Sequence, residues 1–393
     1  MLSAISASRR EFLAGVGRAL LGAASAGWCE AWAADSSQAA PASKRGMIVR
    51  SLRYLDLETP VEYFASWITP VEHFFVRNHV SWPTALEVSE WRLQIAGEVE
   101  RPLRLSYREL RRLPAASVVS VLECAGNGRA FYQPQVPGIQ WERGAVGNAR
   151  FAGVPLRDLL LRAGVKPAGR HVMFRGLDEP PGKVPPFVRS IPLAKALDLD
   201  TIIATHMNGA PLTKFHGFPA RSLVPGWVGA ASVKWLGEIR VLAEEYDGHF
   251  MKSGYRLPSR PLAPGEAPGP GNTIAVTALP VKSVIASPAD GSRHRKGPVQ
   301  ITGAAWAGES EVVRVEVSAD EGKTWQQAPL NPSQEKHAWR LWSLTWKPNA
   351  PGAYVLMARA TDRQGRTQPL APSWNPSGYL WNAADRTRIH VEG

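Results

Sequence analysis

Cysteine is nearly absent. The 393 residues contain two, Cys29 and Cys124, and Cys29 falls in a segment that reads as a removable leader. The single thiol left in the mature chain cannot close an internal disulfide. It cannot carry an iron–sulfur cluster either, and the mature chain has no Cys-x-x-Cys-His to attach a c-type haem. Electrons handled by such a chain must leave through a separate partner. No Gly-x-Gly-x-x-Gly follows a strand-like run and no P-loop occurs, which removes the common dinucleotide and nucleotide folds. A membrane anchor is lacking too: the apolar run from Leu13 to Trp28 carries Arg18 and many small residues, which makes a poor spanning helix. Dense Lys/Arg runs are missing, so the net charge of +12 is spread along the chain and does not read as a nucleic-acid surface. A diffuse positive charge instead steers anions or an acidic protein.

The N-terminus is informative. Ser8-Arg9-Arg10-Glu11-Phe12-Leu13 is a twin-arginine pattern, a small-residue apolar run follows, and Ala31-Trp32-Ala33 supplies a cleavage site before Ala34. The three parts together predict a twin-arginine signal peptide over residues 1–33 and a periplasmic protein exported already folded, often around a cofactor. Its removal takes away three arginines and two glutamates and leaves a charge of about +11.

The remaining length predicts two or three domains. Residues 46–255 read as a loop-rich α+β domain. Trp91 to Gly97 alternates like a strand, Ser106 and Glu109 form a capping-box pattern, Val118 to Leu122 is a buried-strand candidate, and Val154 to Ala163 has helical spacing with Pro155 in a first turn. Residues 256–274, rich in proline and glycine, predict an extended or mobile linker. Residues 275–393 read as all-β: Val313, Val315 and Val317 alternate with polar residues, Asp320-Glu321-Gly322-Lys323 turns the chain, and Tyr354, Leu356 and Ala358 repeat the pattern. Short strands with regular turns predict an immunoglobulin-like sandwich.

Cys124 stands in Val121-Leu122-Glu123-Cys124-Ala125-Gly126-Asn127-Gly128-Arg129, an apolar run followed by small residues that let backbone approach a bound group. A thiolate is a soft ligand for a transition metal and also a nucleophile. Equally, a lone cysteine serves as a small buried hydrophobe. The order of four motifs separates these readings. Phe74-Phe75-Val76-Arg77-Asn78-His79 comes first, then Cys124 to Arg129. His216-Gly217-Phe218-Pro219-Ala220-Arg221 follows, and then Pro225 to Trp235 with Ser232-Val233-Lys234. In this order they resemble the sulfite oxidase family of molybdenum enzymes, over nearly the whole mature chain.

The resemblance implies one molybdopterin, whose dithiolene gives molybdenum two sulfurs, with Cys124 as the single protein ligand. It implies that Phe75, Val76, Arg77, Asn78 and His79 contact the pterin, and that His216, Arg221, Ser232, Val233 and Lys234 lie on its phosphate side. Asp178 matches a pterin-binding aspartate, at a shorter spacing from the cysteine than the family pattern. Arg77, Arg129, Tyr255 and Trp141 match the substrate pocket. The implied reaction is oxidation of sulfite, or another small sulfur oxyanion, with electrons passed to a c-type cytochrome. The C-terminal domain implies a homodimer. One departure stands out. Where animal and plant members carry a third pocket arginine in a Trp-Asn-x-Arg-Gly pattern, this chain reads Trp374-Asn375-Pro376-Ser377-Gly378. This resembles the bacterial branches, periplasmic sulfite dehydrogenases and the molybdenum subunit of sulfane dehydrogenase. Two alternatives therefore stand beside sulfite oxidation: action on carrier-bound sulfane sulfur, and a non-catalytic immunoglobulin-like binding protein with Cys124 merely buried.

Overall fold

The structure, a computed structural model, describes residues 41–393 apart from 270, 333 and 334. The expected signal peptide and Cys29 lie outside the described residues.

Sheet dominates. Among the described residues, α-helix is limited to Tyr107–Arg112, Leu156–Ala163, Leu193–Ala196 and His249–Lys252. The first domain is thus mostly sheet with short helical connectors, rather than a balanced mixture. Proline and glycine set this limit. Val154 and Pro155 end the strand Val146–Pro155, and the helix Leu156–Ala163 starts only after Pro155, which is its N-cap rather than part of its first turn. Gly164, at φ 70°, stops the helix one residue past its end. Between them Leu156, Leu159, Leu160 and Ala163 form the buried face, the spacing of one helix stripe. The capping box forms as expected: the Ser106 hydroxyl accepts from Glu109 N at 3.2 Å, and the Glu109 carboxylate accepts from Ser106 N at 2.8 Å.

Two five-stranded sheets build this half. In one, the order is Leu103–Ser106, Arg92–Gly97, Leu236–Leu242, His171–Gly176, Val188–Pro192, and only the pairing of Arg92–Gly97 with Leu236–Leu242 is parallel. The other runs Ala210–Pro211, Ile202–Met207, Val146–Pro155, Ala116–Glu123, with Arg221–Leu223 also paired to Ile202–Met207. Its strand Ala116–Glu123 is buried without a break from Val118 onward, as in a strand covered on both faces. That strand delivers Cys124.

The proline- and glycine-rich stretch is not an extended linker. Arg256–Pro258 pairs antiparallel with Thr273–Ala275, and the Arg256 side chain donates to the Thr273 hydroxyl and carbonyl. The segment is a loop closed at its base.

In the second half, a three-stranded sheet (Lys282–Ser287, Val299–Trp306, Arg340–Trp346) and a five-stranded sheet share one core. Ile285, Ile301 and Trp342 meet Val315, Leu356 and Ile389 there. The expected alternation at Val313 fails. A register shift between Val312 and Arg314 in the strand Val312–Ser318 puts Val312 inside and leaves Val313 42% exposed, because one extra residue reverses which side chains face the core. A further apolar cluster containing Phe64, Val121, Trp306 and Trp339 joins the two halves.

Candidate active site

The site begins where the strand Ala116–Glu123 ends. Cys124 N donates to Ala145 O, and Asn127 N turns back to Cys124 O, both at 2.9 Å. Gly128, at φ 89°, lets the loop pass into the turn Arg129–Phe131. Beneath the cysteine, the buried Glu123 carboxylate accepts from Lys282 Nζ at 2.6 Å, Asn127 Nδ2 at 2.8 Å and Trp306 Nε1 at 2.7 Å. Lys282 and Trp306 come from the second half of the chain. Full pairing is what makes a buried carboxylate tolerable here.

Two cavities meet at Cys124. The first is walled by Phe75, Arg77, Asn78 and His79 on one side, and by His216, Arg221, Ser232, Val233 and Lys234 on the other; Asp178 also lines it. Val76 is the exception among the expected binding residues. Its backbone pairs with Leu57, and its side chain packs with Met47, Leu55 and Phe215. The second cavity is lined by Arg129, Gly138, Ser377 and Tyr379. Arg77, His79, Cys124 and Tyr255 line both.

The first cavity collects buried positive charge. The Arg221 guanidinium donates to Ser232 O at 2.8 Å, His216 O at 3.1 Å and Ser222 O at 3.4 Å. Burial pulls its pKa down to about 9. The Lys234 ammonium donates to Asn78 Oδ1 and to Phe215 O. Burial, then Arg221, pulls it well below its ordinary value, and Asp178 and Asp56 only partly oppose this. Lys44, which motif reading did not find, is 2% exposed and donates to Val71 O, Phe74 O and His216 Nε2. Burial lowers it to about 7, and burial with Lys44, Lys234 and Arg221 holds His216 well below the usual histidine range. Cations buried this deeply against carbonyls call for an anionic ligand, and a phosphate suits them. Among the described residues no group of three or more His, Cys, Asp or Glu is arranged to hold a metal. A metal at Cys124 must therefore bring most of its ligands with it. Both features fit a metal–organic cofactor with a phosphate tail.

The second cavity faces the thiol from the open side. Arg77 pairs with Asp56 at 3.5 Å and donates to Asn78 O. Burial pulls its pKa down, but Asp56, Tyr255 and Cys124 outweigh this and keep it above the ordinary value. Arg129 Nε donates to Ser377 O at 3.1 Å and Nη1 to Ile139 O at 3.0 Å. Side chains at Gly126 and Gly138 would stand within 3 Å of its guanidinium. Tyr255 Oη lies 2.8 Å from His79 Nε2, and His79 stacks on Phe187 at 4.0 Å. Burial, then Arg77, keeps His79 well below its usual range and so neutral, while burial raises the Tyr255 hydroxyl. Tyr255 is thus a protonated hydroxyl that donates to His79 when the imidazole carries its hydrogen on Nδ1. Burial raises the Cys124 thiol, with Arg77 and Arg129 opposing.

Trp141 departs from expectation. It is fully buried in the apolar cluster with Phe75, Leu122 and Phe151 and lines neither cavity. Its indole N–H has no partner among the described residues. A sequence motif locates a tryptophan on the chain but not which side of the cysteine loop it packs against. Arg189 and Tyr379, beside Tyr255, were also not legible, since neither stands in a motif.

Among the described residues, no helix is long and apolar enough to cross a membrane. An "Oxidoreductase molybdopterin binding domain" model matches residues 79–250, and a "Mo-co oxidoreductase dimerisation domain" model matches residues 273–392. Sulfite oxidase of Gallus gallus is 39% identical over 362 residues, covering 88% of this chain and 78% of that protein. Mitochondrial sulfite oxidase of Homo sapiens is 38% identical, covering 89% of this chain and 67% of that protein. The crystal structure of the sulfane dehydrogenase SoxCD from Paracoccus pantotrophus matches with a TM-score of 0.75 and 30% identity, over 92% of this chain and 97% of that one.

Proposed function

The chain belongs to the sulfite oxidase family of molybdopterin oxidoreductases, and on that premise we propose that it oxidises sulfite to sulfate in the periplasm and passes the electrons to a c-type cytochrome. It is a sulfite oxidase-type molybdoenzyme and takes the molybdenum cofactor. That cofactor, when bound, supplies the oxygen transfer and redox chemistry that side chains lack.

The chain's residues bind, orient and shield. Cys124 would hold molybdenum as a thiolate, the single ligand the protein supplies. Phe75, Arg77, Asn78, His79 and Asp178 hold the pterin. His216, Arg221, Ser232, Val233 and Lys234 hold the phosphate. Arg77 and Arg129 bind the oxyanion from the open side and are placed to stabilise charge as it shifts. Tyr255, oriented by the neutral His79, presents its hydroxyl to the reacting oxygens. The single observation that carries this reading is the position of Cys124 at the junction of two cavities, with buried cations on the closed side and Arg77 and Arg129 on the open side.

The finer assignments follow. Residues 1–33 are a twin-arginine signal, 46–255 the catalytic domain and 256–274 the connection. Residues 275–393 are an immunoglobulin-like domain through which the protein dimerises. The two-sheet core supports that fold, and the dimerisation-domain match supports that role.

A second reading has one specific support. Ser377 is neutral where the family pattern has an arginine, so this pocket carries one fixed positive charge fewer, which a substrate other than free sulfite would tolerate. Sulfane dehydrogenase chemistry on a carrier-bound sulfur would fit a less positive pocket. The test is sulfite-dependent reduction of cytochrome c by purified, molybdenum-loaded protein. Turnover is the expected result. No turnover with sulfite, together with turnover of carrier-bound sulfane sulfur, would replace the first reading by the second.

A further inference from the structure

Four side chains beside the second cavity stack in sequence. The Arg189 guanidinium lies 4.9 Å from the centre of the Tyr255 ring. Tyr255 is parallel to Tyr379, with ring centres 5.3 Å apart and planes 4° from coincidence. The Arg129 guanidinium lies 5.4 Å from the centre of Tyr379. Tyr379 belongs to the second half of the chain, two residues beyond Ser377, and lines the second cavity.

The main chain around Tyr379 is held independently of its ring. Its N donates to Asn375 Oδ1 at 3.0 Å, and its carbonyl accepts from Tyr132 Oη at 2.9 Å and Asn375 Nδ2 at 3.0 Å. Leu380 N donates to Ala125 O at 2.8 Å, within the cysteine loop. Gly378 has φ 59°, and a side chain there would stand 2.8 Å from Arg129 Cγ. The segment is therefore built to press against Arg129.

We propose that Tyr379 is a positioning residue of the substrate site: its ring, stacked between Tyr255 and Arg129, holds both groups in place in a pocket that has Ser377 where the family pattern has a further arginine. A guanidinium on an aromatic face loses rotational freedom yet keeps its in-plane N–H donors available for an oxyanion. In this chain, then, the second domain contributes an aromatic face and a backbone carbonyl to the pocket, and no charge. The ligand class is a small sulfur oxyanion, and the inference rests on the reading of Arg129 and Tyr255 as the substrate side.

The test uses full-length, molybdenum-loaded protein with Tyr379→Phe, Tyr379→Leu, Arg129→Lys, and Tyr379→Leu combined with Arg129→Lys. Sulfite kcat and KM and the dissociation constant of sulfate are measured. Tyr379→Leu is expected to raise KM and weaken sulfate about tenfold, the scale of a lost cation–π contact in a desolvated site, and to lower kcat as well, because Tyr255 loses its stacked neighbour. Tyr379→Phe, which keeps the stack, should restore KM to within about twofold of wild type. The double variant should be little worse than Arg129→Lys alone, because both act on one group. Unchanged KM and sulfate affinity in Tyr379→Leu, or fully additive effects in the double variant, would overturn the proposal. Should Tyr379→Leu lose molybdenum, Tyr379→Met takes its place and is judged by the same outcomes. Wild-type protein that neither turns over sulfite nor binds sulfate would instead sink the underlying substrate reading.

Discussion

Cys124 is the residue on which activity should depend most sharply. Cys124→Ser is expected to abolish sulfite turnover while leaving the fold intact, since the loop is held by Ala145 O and the Glu123 network rather than by the thiol. Activity at wild-type level, with circular dichroism unchanged, would end the assignment. Arg77→Gln should raise the sulfite KM strongly, by about tenfold or more, through loss of a charge-assisted contact; steady-state kinetics decide this. The neutral histidines give a pH prediction. His79 and His216 are held well below 6.5, by burial first, so between that pH and their folded values the unfolded chain binds more protons. Their contribution to stability is full above the unfolded pKa of about 6.5 and is lost as pH falls below it, at up to roughly 1.4 kcal/mol per pH unit for each group. Thermal midpoints measured from pH 7.5 down to 5.5 should fall accordingly, and less steeply in His79→Gln. These residues differ in how far the chain announces them. Cys124, Arg129, His216, Arg221 and Lys234 stand in ordered motifs; Cys124 lines both cavities and each of the others lines one. Lys44 does not, because the group it meets, His216, lies 172 residues away, and no local pattern marks a lysine whose acceptor is supplied by tertiary structure.

At the scale of elements, periodicity served well where one face was buried and poorly where the backbone changed register. Leu93 and Ile95 alternate into the core of the strand Arg92–Gly97, and Ser106 caps its helix, both readable from spacing alone. Val313 was misplaced because the shift at Val312 leaves no trace in composition, and the 256–274 segment because strand pairing closes a stretch whose prolines and glycines read as open. The buried pair Glu123–Lys282 belongs to this scale too, since it joins the end of the strand Ala116–Glu123 to the start of Lys282–Ser287 at 2.6 Å. Lys282→Met should destabilise the protein by about 3–5 kcal/mol, because it strands a buried carboxylate. Glu123→Gln together with Lys282→Met should recover part of that loss. Urea midpoints of the wild type and the two variants test it.

For the whole molecule, the net positive charge, +12 over the full sequence and about +11 without residues 1–33, predicts an acidic electron acceptor. The second-order rate of cytochrome reduction should fall severalfold between about 20 and 200 mM salt, and stopped-flow measurement at both salts checks this. Sedimentation equilibrium should return twice the monomer mass if the second domain dimerises the protein, and the monomer mass would refute it.

The segment around Tyr379 has a consequence in time as well as in space. Ser377 follows Arg129 by 248 residues, yet its carbonyl holds that guanidinium, and Leu380 N anchors the cysteine loop. A ribosome making this chain releases the cysteine loop long before the groups that finish the pocket. Nascent or prematurely ended chains therefore lack a completed site, so molybdenum insertion belongs after synthesis. The order of translation then works as a proofreading step that admits only full-length product to the cofactor.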